Sequence, residues 1–341
     1  MRTIGAVALL LCAVAISSRP ASAQEACGAE RIGVARTVTI DASSGPHFSG
    51  KYHTRKGKAL LADGEVVLTF DDGPHRNNTR TILDTLAAHC TKATFFMVGQ
   101  NALSDPAMVK EVAARGHTVA THTWSHARLD SLAADKSLTE IELGFSAVQM
   151  ALGRPISPFF RFPYLRDTTA SLAHLDARQI ATFSIDIDSR DFQTRDPAAV
   201  HERVIADVTA RRRGIILFHD IHASTARALP LILADLKSLG FRVVHLAAKA
   251  GATTVGEYDK LARQEAERRH LAIARSPLAK RAVTWPMASA PDAKVASKGD
   301  AKGTTEEQDS KPAEDAASAG KEDPKEPSQE DWTADLWNRT Q

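Results

Sequence analysis

Short apolar segments alternate with amphipathic segments between residues 66 and 245, and this alternation restricts the possible folds more than any other feature. The segments between the apolar runs carry hydrophobic residues at helical spacing, and Asp105 is placed to cap a helix predicted at 106–115. Repeated strand–helix units form parallel sheets, and about seven of them in so short a segment predict an α/β fold, a distorted (β/α) barrel of parallel strands. The predicted strands are residues 66–71, 93–98, 118–121, 159–162, 180–187, 214–218 and 241–245.

An open, doubly wound sheet is the alternative fold for the same alternation. Sheets of that kind usually carry a glycine-rich nucleotide-binding turn after the first strand. Here the first strand leads into Asp71-Asp72-Gly73-Pro74 instead, which favours the barrel. The barrel is therefore assigned to residues 66–250. Residues 24–65, which include an edge-strand pattern at 36–41, are predicted to pack against it.

The two ends of the chain differ in composition from the barrel. Residues 1–23 combine a positive start, an apolar run and an Ala-Ser-Ala site, which is typical of a cleaved signal peptide. Its apolar run is short for a membrane span, so we expect an exported, periplasmic or extracellular protein that is not integral to the membrane after cleavage. Residues 288–341 are charged and poor in large apolar residues, which predicts a disordered tail. Trp332 and Trp337 in that tail are either a short docking element or part of a frayed end.

Removal of the signal peptide leaves two cysteines, Cys27 and Cys90. In an exported protein they could form one disulfide bond, but their spacing does not show whether they lie close together. A disulfide and two separate thiols are therefore both open. A closed structural zinc site usually requires four ligands, most of them thiolates, so this kind of site is not expected here.

Residues 251–287 are predicted to form a basic helical extension that ends near Pro277. This extension is either a solvated charged face or a surface attracted to an anionic envelope polymer or lipid. Nucleic acid is not an expected partner, because the sequence has no heptads, no long repeats and no basic patch interleaved with aromatic residues. The basic residues of the extension include Lys260, Arg263, Arg268 and Arg269.

Polar residues stand at the ends of most of the predicted strands. In a barrel of parallel strands these ends converge on one mouth, where catalytic residues are found. Two adjacent carboxylates that share a pocket repel each other, so they require a metal ion or a raised pKa, unless they simply lie in a solvated turn. These residues stand at the ends of the strands, namely Asp71 and Asp72 at the first, His122 at the third, Arg161 at the fourth, residues 186–191 at the fifth and His219 at the sixth.

His122 and His126 are four residues apart, a spacing that one helical turn places on a common face. The pattern often occurs by chance. Together with a carboxylate from another strand, however, it makes a three-ligand site that leaves one coordination position open, as catalytic zinc sites do. Trp124, between the two histidines, either packs beneath the site, which is the favoured interpretation, or lines a sugar groove.

Five short motifs follow one another along the chain. They are TFDDGP at 69–74, HTWSH at 122–126, RFPY at 161–164, DSRDF at 188–192 and LFH at 217–219. In this order they resemble the motifs of the polysaccharide deacetylases, carbohydrate esterase family 4. The resemblance implies a distorted (β/α) barrel and a metal-dependent hydrolase that removes acetyl groups from N-acetylated sugars.

The resemblance also implies that Asp72, His122 and His126 hold a divalent metal ion, with zinc favoured although such a ligand set accepts other ions. Asp71 would be the general base that deprotonates the attacking water, and Arg161 would orient Asp71. These roles are chemically consistent, because an amide carbonyl is a poor electrophile that a Lewis acid activates. A guanidinium beside the base would keep its carboxylate ionised.

In the same family pattern, His219 would be the general acid that protonates the leaving amine. Asp191 would orient and tune His219, since a carboxylate behind an imidazole favours the imidazolium form. The backbone N–H of Tyr164 would help to stabilise the oxyanion, and Leu217 and Phe192 would line the acetyl pocket. The family commonly has Trp at the position of Phe192, so the apolar wall is kept but an indole N–H is lost.

The sequence thus favours a polysaccharide N-deacetylase acting on chitin-like oligomers or peptidoglycan. The same site could instead hydrolyse O-acetyl esters of a xylan-type polysaccharide. A non-catalytic carbohydrate-binding barrel is a third possibility, against which the presence of both Asp71 and His219 argues. Four further histidines fit no motif position and are predicted to be surface or packing residues, namely His75, His117, His222 and His245.

Overall fold

The computed structural model describes residue 28, residues 30–48 and residues 57–275. The predicted signal peptide and the predicted charged tail lie outside these residues. Cys90 is disulfide-bonded, which excludes two separate thiols, while its predicted partner Cys27 also lies outside the described residues. Within the described ranges no helix is both long and apolar enough to cross a lipid bilayer.

Strands and helices alternate along the described residues as the sequence predicts. Every strand, and all the helices up to α7, belong to a compact unit that ends at Arg269. The strands are β1 (Arg36–Ile40), β2 (His47–Phe48), β3 (Glu65–Asp71), β4 (Thr94–Met97), β5 (Thr118–Thr121), β6 (Phe159–Phe160), β7 (Ala181–Phe183), β8 (Ile187–Asp188), β9 (Gly214–His219) and β10 (Arg242–Ala248). The helices are α1 (Arg76–Ala88), α2 (Gly99–Ser104), α3 (Pro106–Ala114), α4 (Ala134–Leu152), α5 (Thr169–Ala177), α6 (Pro197–Arg211), α7 (Ala223–Ser238) and α8 (Gly256–Arg275).

Parallel pairing joins most of these strands into a barrel with one seam. β3 pairs with both β4 and β9, and the pairing continues from β4 through β5 and β6 to β7. From the other direction, β8 pairs with β9. Because only residues 184–186 separate β7 from β8, the segment that contains both strands closes the ring. The predicted barrel of parallel strands is confirmed, and the open doubly wound sheet is excluded.

At the seam, the strand predicted at residues 180–187 is broken into β7 and β8. A side chain inside the barrel bonds the backbone there. Nε of Arg161 donates to the carbonyl of Phe183, and Nη2 donates to the carbonyl of Ser184, both at 3.3 Å. A buried guanidinium therefore satisfies carbonyl groups that a neighbouring strand would otherwise bond.

The last predicted strand, at residues 241–245, is not an ordinary member of the ring. β10 pairs with β3 through its first two residues only, and it pairs with β1 over five. The carbonyl of Leu246 in β10 accepts a hydrogen bond from the hydroxyl of Thr118, the first residue of β5. β1 and β10 thus lie across the end of the barrel where the strands begin. The edge strand predicted at 36–41 is confirmed as β1.

The core consists of two clusters, because successive side chains of a strand point to opposite faces. The larger cluster lies between the strands and the helices, and β3 contributes Val66, Leu68 and Phe70 to it. The smaller cluster fills the barrel and includes Val67 of β3 and the ring of Phe96. Full burial of each such side chain stabilises the fold by about 1.5–3 kcal/mol. Every second residue of β3, starting at Val67, therefore faces the interior of the barrel.

The predicted basic helix is α8, and it is not solvated on all sides. Ala262 is fully buried, and Tyr258 and Ala266, one turn before and after it, pack against the larger cluster. The prediction of a solvated charged face is wrong for Arg269, which is partly buried. It is confirmed for the exposed residues Lys260, Arg263 and Arg268.

Candidate active site

Strand alternation brings the candidate residues together at the mouth, the end of the barrel where the strands finish. On β3, Asp71 continues the inward-facing series that contains Val67, and on β9, Leu217 and His219 continue the series from Ile215. Asp71 and His219 are partners in the register of these two neighbouring strands. A carboxylate and an imidazole therefore end side by side at the mouth.

Asp72, His122 and His126 form a cluster of three donor atoms that lie within 4.8 Å of one another. Oδ1 of Asp72 is 3.3 Å from Nε2 of His126 and 3.6 Å from Nε2 of His122. Asp72 and His126 both have left-handed backbone conformations, with φ of 76° and 63°. Such conformations are costly for residues other than glycine, so the contacts around the cluster must stabilise them.

The second ring nitrogen of His122 fixes its tautomer. Nδ1 lies 2.7 Å from the carbonyl oxygen of Arg161, which can only accept, so Nδ1 carries the proton and Nε2 presents a lone pair. Burial lowers the pKa of His122 to about 3, and burial also lowers the pKa of His126, so both rings stay neutral. Two neutral imidazoles, one held by a backbone carbonyl, and a carboxylate are the donors of a catalytic zinc site. These residues therefore fit a divalent metal ion.

Asp71 is paired with Arg161 in the interior of the barrel. Nη1 of Arg161 donates to Oδ1 of Asp71 at 2.7 Å and to the hydroxyl of Thr69 at 2.8 Å. The guanidinium carbon lies 4.3 Å from the ring centroid of Phe96. Burial raises the pKa of Asp71 to about 6, although the charge of Arg161 opposes this rise. Asp71 is thus more basic than an ordinary aspartate, yet still ionised at neutral pH.

His219 is held by Asp191. Nδ1 of His219 donates to Oδ1 of Asp191 at 2.6 Å, and the backbone N–H of His219 donates to Oδ2 at 2.8 Å. The hydroxyl of Thr225 donates to Oδ2 as well. Burial alone would lower the pKa of His219, but the Asp191 carboxylate raises it to about 10. The imidazole is therefore protonated at neutral pH, with Nε2–H directed away from Asp191.

Two aromatic side chains border the imidazoles of the site. The ring centroid of Tyr164 lies 4.8 Å from that of His126, and the ring centroid of Phe192 lies 5.7 Å from that of His219. Both aromatics are unusually open for large apolar side chains, with exposed fractions of 37% and 45%. Leu217 is buried on the same face of β9 as His219. The mouth thus presents apolar surface next to its ionised groups.

Trp124 and the histidines outside the motifs were assigned to packing or to the surface. Trp124 packs against the larger cluster, which confirms the favoured interpretation. His75 accepts a hydrogen bond at the start of α1, His117 accepts one from the N–H of Ala93, and His245 bonds the hydroxyl of Thr118, as expected for surface or packing residues. His222 differs, because its ring lies 5.7 Å from that of His219 and so belongs to the mouth.

Asp220 is a site residue that the sequence analysis missed. Its buried carboxylate accepts a hydrogen bond from the hydroxyl of Thr79 at 2.5 Å and another from the backbone of Gly73. A Cβ atom on Gly73 would lie 2.1 Å from Oδ2 of Asp220, so only glycine fits there. Burial raises the pKa of Asp220 to about 7. This carboxyl group ties the loop after β3 to the end of β9, and the only sequence signal was its position directly after His219.

Known proteins with a similar sequence show the family of this chain. Residues 60–181 match the family model described as Polysaccharide deacetylase. A peptidoglycan-N-acetylglucosamine deacetylase of Bacillus cereus is 30% identical over 184 residues, which cover 52% of this chain and 84% of that protein. The chain belongs to the polysaccharide deacetylase family. The family match contains Asp71, Asp72 and both cluster histidines, but it ends before Asp191 and His219.

Two further proteins resemble the chain over part of its length. A peptidoglycan-N-acetylglucosamine deacetylase of Listeria monocytogenes is 34% identical over 179 residues, which cover 52% of this chain and 37% of that protein. The chain thus spans little more than a third of the length of that relative. The solved structure of a peptidoglycan deacetylase of Bdellovibrio bacteriovorus is 34% identical, with a TM-score of 0.57 over 64% of this chain and 60% of that one.

Proposed function

We propose that the protein is a metal-dependent deacetylase that hydrolyses N-acetyl groups of a polysaccharide, with peptidoglycan as the favoured polymer. The observation that carries this proposal is the pairing of a buried base, Asp71, with a protonated imidazole, His219, on neighbouring strands beside a cluster of metal donors. The three relatives described above are each named as peptidoglycan deacetylases, and this supports the choice of polymer.

Asp72, His122 and His126 would hold the divalent cation, with zinc the favoured choice. When bound, the cation would supply a Lewis acid that polarises the acetyl carbonyl. Arg161 contributes to two parts of the site. Its backbone carbonyl orients the ring of His122, and its guanidinium holds the carboxylate of Asp71.

Asp71 would accept a proton from the attacking water through Oδ2, because Oδ1 is bonded to Arg161. Oδ2 lies 3.8 Å from Nε2 of His122 and so faces the metal donors. A general base must be ionised in the free enzyme, and a pKa of about 6 meets this requirement at neutral pH. Arg161 therefore leaves one carboxylate oxygen for chemistry and fixes the other.

His219 would deliver a proton to the leaving nitrogen from Nε2, because Nδ1 is bonded to Asp191. An amine leaves poorly as an anion, so the C–N bond breaks as the nitrogen gains this proton. One water is consumed, and acetic acid and a free sugar amine are formed, which ionise to acetate and ammonium at neutral pH. The proton that Asp71 takes from water balances the proton that His219 gives up. Transfer of a proton from Asp71 to His219 then restores the starting state of the site.

The acetyl group would be recognised by apolar residues at the mouth. Its methyl would lie against Leu217, on the same face of β9 as His219, and Phe192 would close the pocket with an apolar edge that offers no N–H donor. The backbone N–H of Tyr164 would add to the stabilisation of the oxyanion. The pocket would thus separate an apolar methyl from the charged groups that act on the carbonyl.

Acetate release from three substrates, measured side by side, tests the proposal. They are N-acetylglucosamine oligomers, peptidoglycan and O-acetylated xylan, each with metal-loaded and with chelator-stripped protein. We expect release from the N-acetylated substrates, loss of release after chelation and recovery with added zinc. Release from xylan alone would identify an O-acetyl esterase. Binding of sugar without release from any substrate would identify a non-catalytic barrel.

Asp191→Asn should shift the alkaline limb of the pH profile of kcat/KM to lower pH. His219 must be protonated to act, and Asp191 is the group that raises its pKa to about 10. A neutral amide removes this effect, so the pKa falls and the acid is lost at a lower pH. Asp188→Asn is a matched control, since within the described residues the only hydrogen bond found for the Asp188 carboxylate is with the nearby backbone N–H of Arg190. An alkaline limb that stays in place would argue against His219 as the acid.

We also propose that the mature protein acts outside the cytoplasm, in the periplasm or beyond it. The signal-peptide pattern at residues 1–23, the disulfide at Cys90 and an envelope polymer as substrate support this location. The exposed cations Lys260, Arg263 and Arg268 on α8 would be attracted to an anionic envelope surface.

A further inference from the structure

Arg269 lies outside the family match and outside every motif, yet it contacts the loop that carries two of the metal donors. Its guanidinium carbon lies 5.5 Å from the ring centroid of Trp124, the residue midway between the two cluster histidines. Nη1 of Arg269 also donates to the carbonyl of Gln100 at 3.2 Å and to the hydroxyl of Ser104 at 2.7 Å. A residue of α8 thus contacts both α2 and the donor loop.

The donor loop, residues 122–126, has no regular helix or strand and is held by its neighbours. Thr123 has a left-handed φ of 67°, in addition to the left-handed histidine described above. The N–H of Gly99 donates to the carbonyl of Thr123, and the N–H of Gln100 donates to the carbonyl of Trp124, each at 2.9 Å. The start of α2 therefore stabilises a backbone conformation that the loop would not adopt by itself.

The donor loop also has no room to shift relative to α2 and α4. A Cβ atom at Gly99 would lie 2.9 Å from the ring of Trp124, and one at Gly144 would lie 2.6 Å from the carbonyl carbon of Thr123. Contacts this close transmit a displacement of either helix directly to the loop. The positions of α2 and α4 together therefore determine the position of the donors.

Arg269 connects α2 to the donor loop from outside. Gln100 uses its N–H to bond Trp124 and its carbonyl to receive Arg269. The guanidinium is itself oriented by Glu265, one turn earlier on α8, which accepts from Nε of Arg269 at 2.7 Å. Arg269 thus holds α2 by a charge-assisted hydrogen bond to Gln100 and holds the donor loop by a cation–π contact with Trp124.

We propose that Arg269 is a positioning residue for the metal site, and that it acts through α2 and Trp124 to hold the donor loop in its cation-binding conformation. This inference rests on the proposed metal-dependent function. It extends the functional unit to a helix beyond the residues that match the family. Residues that orient metal ligands typically contribute 10–100-fold to metal affinity, and because Arg269 acts at one remove we expect about 10-fold.

Zinc affinity of the full-length protein, measured by competition with a chromophoric chelator, tests the inference. We expect Arg269→Ala to bind zinc about 10-fold more weakly than the wild type, and Arg269→Lys, which keeps the charge but loses the planar fork, to lie between the two. Arg268→Ala is the matched control and should bind zinc like the wild type. Arg268 bonds the same Glu265 at 2.7 Å, but no contact with α2 or Trp124 is found for it within the described residues.

His126→Ala, which lacks one donor, separates the two ways in which the test can fail. If wild-type protein binds zinc no more tightly than His126→Ala, the proposed function is wrong and the inference falls with it. If the wild type binds zinc tightly, and Arg269→Ala and Arg268→Ala bind it as tightly as the wild type, the inference alone is wrong.

Hydrogen exchange of the metal-free protein gives a second readout that does not depend on zinc. In Arg269→Ala the amides of Gly99 and Gln100, which bond the donor loop, should exchange faster than in Arg268→Ala, while the amides of β9 keep their protection. Faster exchange throughout the barrel would reveal a general loss of stability and would overturn a positioning role. Unchanged exchange at α2 would overturn it equally.

Discussion

His219→Ala should lower kcat/KM on an N-acetyl oligosaccharide by roughly 10²–10⁴-fold, the range for a lost general acid, and should lower it much less on an aryl acetate. The difference comes from the leaving group. An amine must be protonated before it departs, whereas an activated aryl oxide leaves as a stable anion. The measurement is kcat/KM for both substrates at the same pH and the same zinc loading.

Two companion variants make the His219→Ala result specific. Asp71→Asn should impair both substrates, because attack by water precedes the departure of either leaving group. His201→Ala is the control. His201 is also bonded to an aspartate, Asp235, at 2.7 Å, but these two residues lie on the outer helices α6 and α7. The variant should therefore change kcat/KM for neither substrate. If His219→Ala reduced turnover of both substrates equally, His219 would not be the acid that protonates the leaving group.

Arg161→Met should lower the free energy of unfolding by about 3–5 kcal/mol at pH 8, because it leaves the buried carboxylate of Asp71 without its partner. The loss should become smaller as the pH falls. Burial already raises the pKa of Asp71 to about 6 with Arg161 present, and removing the guanidinium raises it further. Because the folded-state pKa of Asp71 is then higher in the variant than in the wild type, the native variant gains more from proton binding as the pH falls towards 6, and its loss of stability relative to the wild type becomes smaller.

Urea denaturation of the Arg161→Met variant at pH 8 and pH 5 measures this effect. The double variant Arg161→Met/Asp71→Asn, which removes both charges, should recover part of the lost stability at pH 8. Arg80→Met breaks an exposed pair with Glu111 at 2.8 Å and should cost only about 0–1 kcal/mol. A loss for Arg161→Met that is equal at the two pH values would show that packing, not the unpaired charge, is the cause.

The positions of Asp71, His219 and His122 could be predicted from the sequence because two simple rules fix them. Side chains alternate along a strand, so Asp71 and His219 face the barrel interior two residues after Thr69 and Leu217. The ends of parallel strands converge, so His122, after the third predicted strand, comes close to Asp72 in the structure. Neither rule requires knowledge of how distant segments pack. The helical turn predicted for His122 and His126 is wrong, because residues 122–126 form an irregular loop with left-handed residues.

Features that depend on distant contacts could not be predicted in this way. α2 has only six residues, begins with Gly99 and has no side-chain cap, so no periodic pattern marks it. The sequence predicts β10 as an ordinary strand of the barrel, and only its pairing with β1 shows that it leaves the ring. The burial of Asp220 and the contact of Arg269 with Trp124 likewise arise from packing between segments far apart in the chain.

The pairing of β3 with β9 has a consequence for how the protein is made. A nascent chain presents Asp71 and the three metal donors early, but His219 arrives only after most of the barrel has left the ribosome. Contacts between segments so far apart form slowly, because closing the long intervening loop costs entropy. The proposed base therefore has no acid partner until the barrel is almost complete. Hydrolytic activity would accordingly report a fully folded chain, and synthesis intermediates that end before β9 would be inert towards the polymer.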